Sequence, residues 1–295
     1  MNSTNAPRLL RRAYGNTGIQ LSIIGFGGIM LWDNAQEHAN RVVAEAVEKG
    51  VNYFDVAPTY GDSQDKLGPA LEPFRKDVFL ACKTTERTRE GAAKELQQSL
   101  ETLRTEYFDL YQLHALTDVA DDVDAVFAKG GAMETFIEAK KSGRIRHIGF
   151  SAHSVEAACI AMDRYDFDSV LFPVNFVMYR TGNFGPQIMA KAQSKGVARL
   201  AIKMLARRRW IEQDCAADRE KFPKCWYQPL TDPREMEMAL RFTLSQPITA
   251  SLPPGVESLF RQALDLAMRF APITDSETKE LDALALQLNP LFQAE

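Results

Sequence analysis

The chain has 295 residues, 45% apolar and 25% charged, with 17 glycines and 14 prolines, a composition that excludes collagen-like, low-complexity and disordered chains. Its 35 basic and 39 acidic side chains leave a net charge of −4, which argues against general attraction to nucleic acid or to an anionic membrane surface and leaves room only for local basic pockets. Four cysteines without CxxC spacing, Cys82, Cys159, Cys215 and Cys225, read as reduced thiols of a cytoplasmic protein, and no apolar run approaches the roughly 20 residues that span a bilayer.

Residues 8–22 (RLLRRAYGNTGIQLS) predict two short strands around Gly15-Asn16-Thr17-Gly18, a hairpin placed to plug the floor of a barrel. The Arg11-Arg12 pair within it is followed by a polar, glycine-containing stretch rather than the apolar segment of an export signal. Eight β-branched or aromatic runs then recur, beginning near Ile23, Val51, Val78, Tyr107, Ile145, Ser169, Val197 and Ile248. Most starts are about 24 to 38 residues apart, which is room for a strand, a helix and two short loops. Asn34 to Glu37 has the form of a capping box ahead of an amphipathic helix to Glu48, stopped at Lys49-Gly50. Further helical periods cover residues 90–102, 132–141, 155–164, 186–195, 233–244 and 258–270. Between the seventh strand and its helix, residues 205–232 form a long polar insertion, the kind of loop that serves as a lid or binding loop.

Strands alternating with helices in this way predict a (β/α)8 TIM barrel with an N-terminal β-hairpin, one domain over residues 1–295. A doubly wound sheet is the alternative, but GFGGIM (Gly25 to Met30) has methionine where the third glycine of the phosphate fingerprint belongs.

A barrel of this kind carries its active site at the C-terminal ends of the strands. Asp55 ends the second strand, Tyr60 follows five residues on, Lys83 ends the third and His114 ends the fourth. Singly, these read equally well as a turn cap, a packed loop, a solvated strand end and a satisfied core histidine. Together, three neighbouring strands deliver them to one rim. An ammonium beside a phenol lowers its pKa from about 10, so Lys83 is suited to prepare Tyr60 for proton transfer. Asp55 is the available counter-charge for Lys83, and His114 can hydrogen-bond a substrate oxygen. The set suits proton donation to a carbonyl oxygen as hydride reaches its carbon.

The segments DVAPTYG (Asp55 to Gly61), ACKT (with Lys83) and YQLH (ending at His114) resemble the aldo-keto reductase family, and the likeness extends over nearly the whole chain. The resemblance implies Tyr60 as proton donor, Lys83 as its pKa modifier, Asp55 as the partner of Lys83 and His114 as the residue orienting the carbonyl. It also implies a nicotinamide cofactor lying across the barrel mouth without a Rossmann domain, held by Gly28, Asp55, Ser151, Asn175, Lys203 and Gly255. Asn175 stands in place of the usual glutamine, Lys203 where a cation meets the pyrophosphate, and Gly255 where backbone N–H groups approach a phosphate. Ala152 replaces a common asparagine, and Ile202 the usual stacking aromatic.

At the adenosine end Arg261 favours a 2′-phosphate and Glu257 a bare ribose; family habit favours NADP(H) over NAD(H). The implied activity is NAD(P)H-dependent reduction of a small-molecule aldehyde or ketone. The alternative is a cofactor-binding redox sensor or regulatory protein with little turnover, which has no need of Tyr60. No metal is expected, since His38, His114, His147 and His153 lack ligand spacing. Substrate choice falls to the insertion and to the acidic segment after His114 (Asp118, Asp121, Asp122, Asp124), with Trp32, Trp210 and Trp226 as candidate apolar walls.

Overall fold

The chain opens with β1 (Arg11–Ala13) and β2 (Gln20–Ser22), an antiparallel hairpin in the register Arg11↔Ser22. Arg8 of the expected span lies outside the residues described by the computed structural model, which are 9–294. Apolar runs without polar alternation suit strands buried on both faces. They fold as β3 (Phe26–Gly27), β4 (Tyr53–Asp55), β5 (Phe79–Thr84), β6 (Phe108–Leu116), β7 (Ile145–Ala152), β8 (Ser169–Pro173), β9 (Ala198–Ile202) and, after the two-stranded ribbon β10 (Ala206–Arg209) and β11 (Tyr227–Pro229), β12 (Ala250–Ser251). All but the hairpin and the ribbon lie side by side in chain order in one eight-stranded parallel sheet.

The sheet closes on itself. Gly25 N–H donates to the Ser251 carbonyl at 3.0 Å and Ser251 N–H to that of Ile23 at 2.9 Å, with Ile24 bridging Ser251 in parallel. The result is a (β/α)8 barrel.

The helices are α1 (Gln36–Glu48), α2 (Ser63–Leu71), α3 (Arg89–Thr102), α4 (Ala125–Phe127), α5 (Ala132–Lys141), α6 (Val155–Arg164), α7 (Phe176–Arg180), α8 (Pro186–Ser194), α9 (Ala216–Glu220), α10 (Pro233–Ser245), α11 (Glu257–Met268) and α12 (Asp275–Ala285). One longer helix follows each barrel strand. Inside the barrel, Tyr14 and Leu21 of the hairpin pack with Tyr53, Phe79, Leu110 and Leu200, and the Tyr14 and Phe79 rings lie 5.0 Å apart. The hairpin thus plugs the floor, the interior is packed rather than open, and the strands' C-terminal ends are left for a site.

Several local expectations change. Asn34 does not cap α1: its Nδ2 donates to the Met30 carbonyl at 2.7 Å, and Ala35 at the cap position offers no side-chain acceptor. Helix α2 escapes a periodicity reading because Gly68 and Pro69 interrupt it; a Cβ at Gly68 would lie 2.5 Å from the Thr102 carbonyl, so glycine permits the close approach of α2 to the end of α3. The acidic segment after His114 folds as a π-helical turn, Val119–Asp124, running into α4. There Asp122 takes Arg87 at 2.8 Å and Asp124 takes Arg164 at 2.7 Å. The 205–232 insertion is the β10–β11 ribbon with α9 at its tip, tied by Arg208 to Asp214 at 2.6 Å and by Trp210 Nε1 donating to the Cys225 carbonyl at 2.9 Å.

Candidate active site

Asp55 is the last residue of β4 and Lys83 the fifth of six in β5. Both are buried, 2% and 1% exposed, and the Lys83 ammonium donates to Asp55 Oδ1. Two further donors converge on the other carboxylate oxygen: Tyr53 Oη at 3.2 Å and Gln112 Nε2 at 3.1 Å. A buried charge pair needs its remaining lone pairs satisfied to offset desolvation, and these two side chains supply that. Neither was singled out from the sequence. Tyr53 lies two residues before Asp55 and Gln112 two before His114, so alternation gives each pair one face of its strand, but only the register brings Gln112 to Asp55.

Tyr60 enters from the loop after β4, its ring half-buried against the core, with the Lys83 ammonium 5.3 Å from the ring centroid. Burial pushes the phenol above its ordinary value, and the Lys83 charge offsets only part of this. The Lys83 charge thus acts in the expected direction, lowering the phenol's pKa against the larger upward push of burial. Burial pushes Lys83 down, but Asp55 and Tyr60 outweigh it and hold the ammonium above its usual value.

His114 lies two residues before the end of β6, its ring edge-on to Tyr60 at 5.9 Å between centroids. Burial, then Lys83 and other nearby cations, push it down to about 3, so it is a neutral imidazole at neutral pH. Its Nδ1 is buried with no partner among the described residues. Arg87 donates to the His114 carbonyl at 2.8 Å, and Ser151 Oγ accepts from Ala115 N–H at 2.8 Å; together they fix the backbone under the ring.

These side chains open on a cavity of about 310 Å³ at the barrel mouth, shared with His153, Lys203, Trp226 and Gly255. Of the residues expected at a cofactor, Asp55, Ser151, Lys203 and Gly255 line it and four others do not. Gly28 faces Val56, whose Cβ would lie 2.9 Å from an added Cβ; its neighbour Gly27 lines the cavity instead. Asn175 is buried and fully engaged: Nδ2 donates to the Lys203 and Ala206 carbonyls at 3.1 and 2.8 Å, and Oδ1 caps α7 through Val177 N–H at 2.8 Å. Glu257 takes His38 Nε2 at 2.6 Å and Arg261 at 3.0 Å, and Arg261 also takes Glu45 at 2.6 Å. The carboxylate and the guanidinium expected to compete for the adenosine end thus pair with each other.

Of the aromatic candidates, Trp226 lines the cavity. Trp210 is a packing anchor against Phe222, and Trp32 lies over Gly61 outside the cavity. His153, which sequence reasoning passed over, lines the cavity with its Nε2 buried and unpartnered.

A plugged parallel barrel that gathers carboxylate, ammonium, phenol and imidazole at its open mouth defines a barrel protein built for proton chemistry on a small ligand. The family model described as "Aldo/keto reductase family" matches residues 23–224, and the chain belongs to that family of oxidoreductases, whose members use nicotinamide cofactors. The chain is 25% identical to "Uncharacterized oxidoreductase YqkF" of Bacillus subtilis, covering 92% of this chain and 95% of the relative. It is 27% identical to L-galactose dehydrogenase of Arabidopsis thaliana over 66% and 65% of the two chains. Among solved structures, the holo form of aldo-keto reductase AKR11C1 from Bacillus halodurans superposes with a TM-score of 0.72 at 23% identity, over 94% of this chain and 96% of that one.

Proposed function

We propose that the chain, acting as one barrel domain, reduces an aldehyde or ketone to the alcohol with NADPH, Tyr60 supplying the proton. The observation that carries this reading is the Tyr60 phenol held beside the Lys83–Asp55 pair and against a neutral His114 whose Nδ1 has no partner. The reduced nicotinamide, when bound, supplies hydride to the carbonyl carbon. Tyr60 gives its proton to the carbonyl oxygen, and Lys83 stabilises the phenolate left behind. His114, neutral, orients that oxygen. Asp55 keeps Lys83 charged, and Tyr53 and Gln112 hold Asp55 in place.

The residues present fit such a cofactor. An added Cβ at Gly27 would meet only the Pro253 carbonyl, at 3.9 Å, so the backbone there is open to a flat group. Ser151 has accepted one hydrogen bond and keeps its hydroxyl hydrogen for a carboxamide. Gly255 precedes α11, whose first N–H groups suit a phosphate. NADP(H) is put ahead of NAD(H) on the family's habit alone; Arg261, the candidate partner of a 2′-phosphate, is already paired with Glu257 and Glu45. The test is NADPH oxidation with an activated aldehyde, alongside fluorescence titration with NADPH and NADH in parallel. Tyr60→Phe should lose turnover and still quench NADPH fluorescence; full turnover in that variant refutes the assignment.

A further inference from the structure

Lys203 follows β9 in a left-handed conformation, φ +67°, which for a side chain other than glycine or asparagine is strained and calls for a reason. Its ammonium lies 5.0 Å from the Trp226 ring centroid and 4.8 Å from that of Tyr227. Among the described residues no carboxylate lies within ion-pair distance of it, and the cavity's one lining carboxylate, Asp55, is already taken by Lys83. Two aromatic faces take the place of a counter-ion. A cation withdrawn from water in this way is costly unless an anion completes the site. Burial accordingly pushes Lys203 down to about 8.

The cavity holds a second ammonium, Lys224, which has no carboxylate within ion-pair distance among the described residues. Lys224 Nζ donates to the Met30 carbonyl at 2.8 Å and feels Asp33, Asp62 and Glu257, the last at the start of α11. Lys203 lines the same cavity as His114 and His153, and its charge adds to the burial that pushes both imidazoles down. His153 stacks on Phe292 at 4.7 Å, which fixes the ring and leaves Nε2 without a partner.

We propose that the carbonyl substrate is an oxo acid, its carboxylate received by Lys203 between Trp226 and Tyr227 and hydrogen-bonded by His153 Nε2. This rests on the reductase reading above. Lys224 and the N-terminus of α11 serve the phosphates, and Lys203 serves the substrate.

The test compares pyruvate and succinic semialdehyde, each against its methyl ester, at saturating NADPH. Binding is read separately: tryptophan fluorescence is titrated with the corresponding hydroxy acids and their methyl esters, and NADPH fluorescence with the cofactor. The unaltered protein is expected to prefer acid over ester at least thirtyfold in kcat/KM for one of the two pairs. That preference is expected to collapse in Lys203→Met and to persist in Lys203→Arg, which keeps the charge and also controls for folding. Equal handling of acid and ester by the unaltered protein overturns the proposal. So does a Lys203→Met effect confined to NADPH affinity, which gives Lys203 to the cofactor instead. Absence of both NADPH binding and turnover with either member of each pair removes the reductase reading itself, and the proposal with it.

Discussion

Replacing Lys83 by methionine should lower the protein's stability markedly. The substitution leaves the Asp55 carboxylate, 2% exposed, with only two neutral donors, Tyr53 and Gln112. Removing one partner of a buried ion pair costs about 3–5 kcal/mol. A chain of this length unfolds with an entropy of about 0.6 kcal/mol per kelvin, so the loss corresponds to a Tm lower by about 5–8 °C.

The assay is thermal denaturation by circular dichroism at neutral pH, run on Lys83→Met, Asp55→Leu and the double variant. Because the double variant removes both charges, its loss should fall well short of the sum of the single losses. Additive losses, or a Lys83→Met protein within about 1 kcal/mol of the parent at neutral pH, contradict the buried-pair account.

His114 and His153, pushed down to about 3 and about 4 by burial, are neutral when folded and protonate readily when unfolded. Their contribution to stability is present above about pH 6.5 and lost as pH falls toward their folded values, and Tm measured between pH 7 and 4 should fall less steeply in a His114→Gln/His153→Gln double variant. Asn175→Ala removes the α7 cap and the donor to two carbonyls at the root of the ribbon; a loss of about 1–3 kcal/mol and faster proteolytic cleavage within 205–232 are expected, and unchanged cleavage counts against its role as the ribbon's anchor. Gly61 has φ +56°, and an added Cβ would lie 2.3 Å from the Trp32 indole. Gly61→Ala should lower kcat by displacing Tyr60, and pairing it with Trp32→Ala should restore part of the loss; no recovery in the pair assigns the defect to the backbone alone.

What the sequence made legible follows from range of interaction. Strands buried on both faces keep apolar runs, and α5 and α6 begin and end where their periods do, because capping and amphipathicity are local. Asp55, Tyr60, Lys83 and His114 could be placed at one rim for a similar reason: strand ends are readable, and the fold brings consecutive strand ends together. Tyr53 and Gln112 needed the strand register, in which Lys83 lies opposite Gln112, and register comes only with the closed sheet. The pairing of Glu257 and Arg261 was not legible because their further partners come from α1: His38 is 219 residues from Glu257 along the chain. Asn175 carried the right chemistry for an amide contact, but α7 and the turn after β9 claim all its bonds.

The barrel's closure has a consequence of its own. The first and last barrel strands are each two residues long and meet through a single bridge and two hydrogen bonds, whereas β6 and β7 pair over many residues. This seam is the weakest joint in the wall, and Gly27 and Gly255, one on each side of it, both face the cavity. A molecule lodged between them spans the joint like a clasp. Loading the mouth should then slow amide exchange at Gly25 and Ser251 while leaving the β6–β7 amides unchanged, so that the barrel reports occupancy through its own breathing.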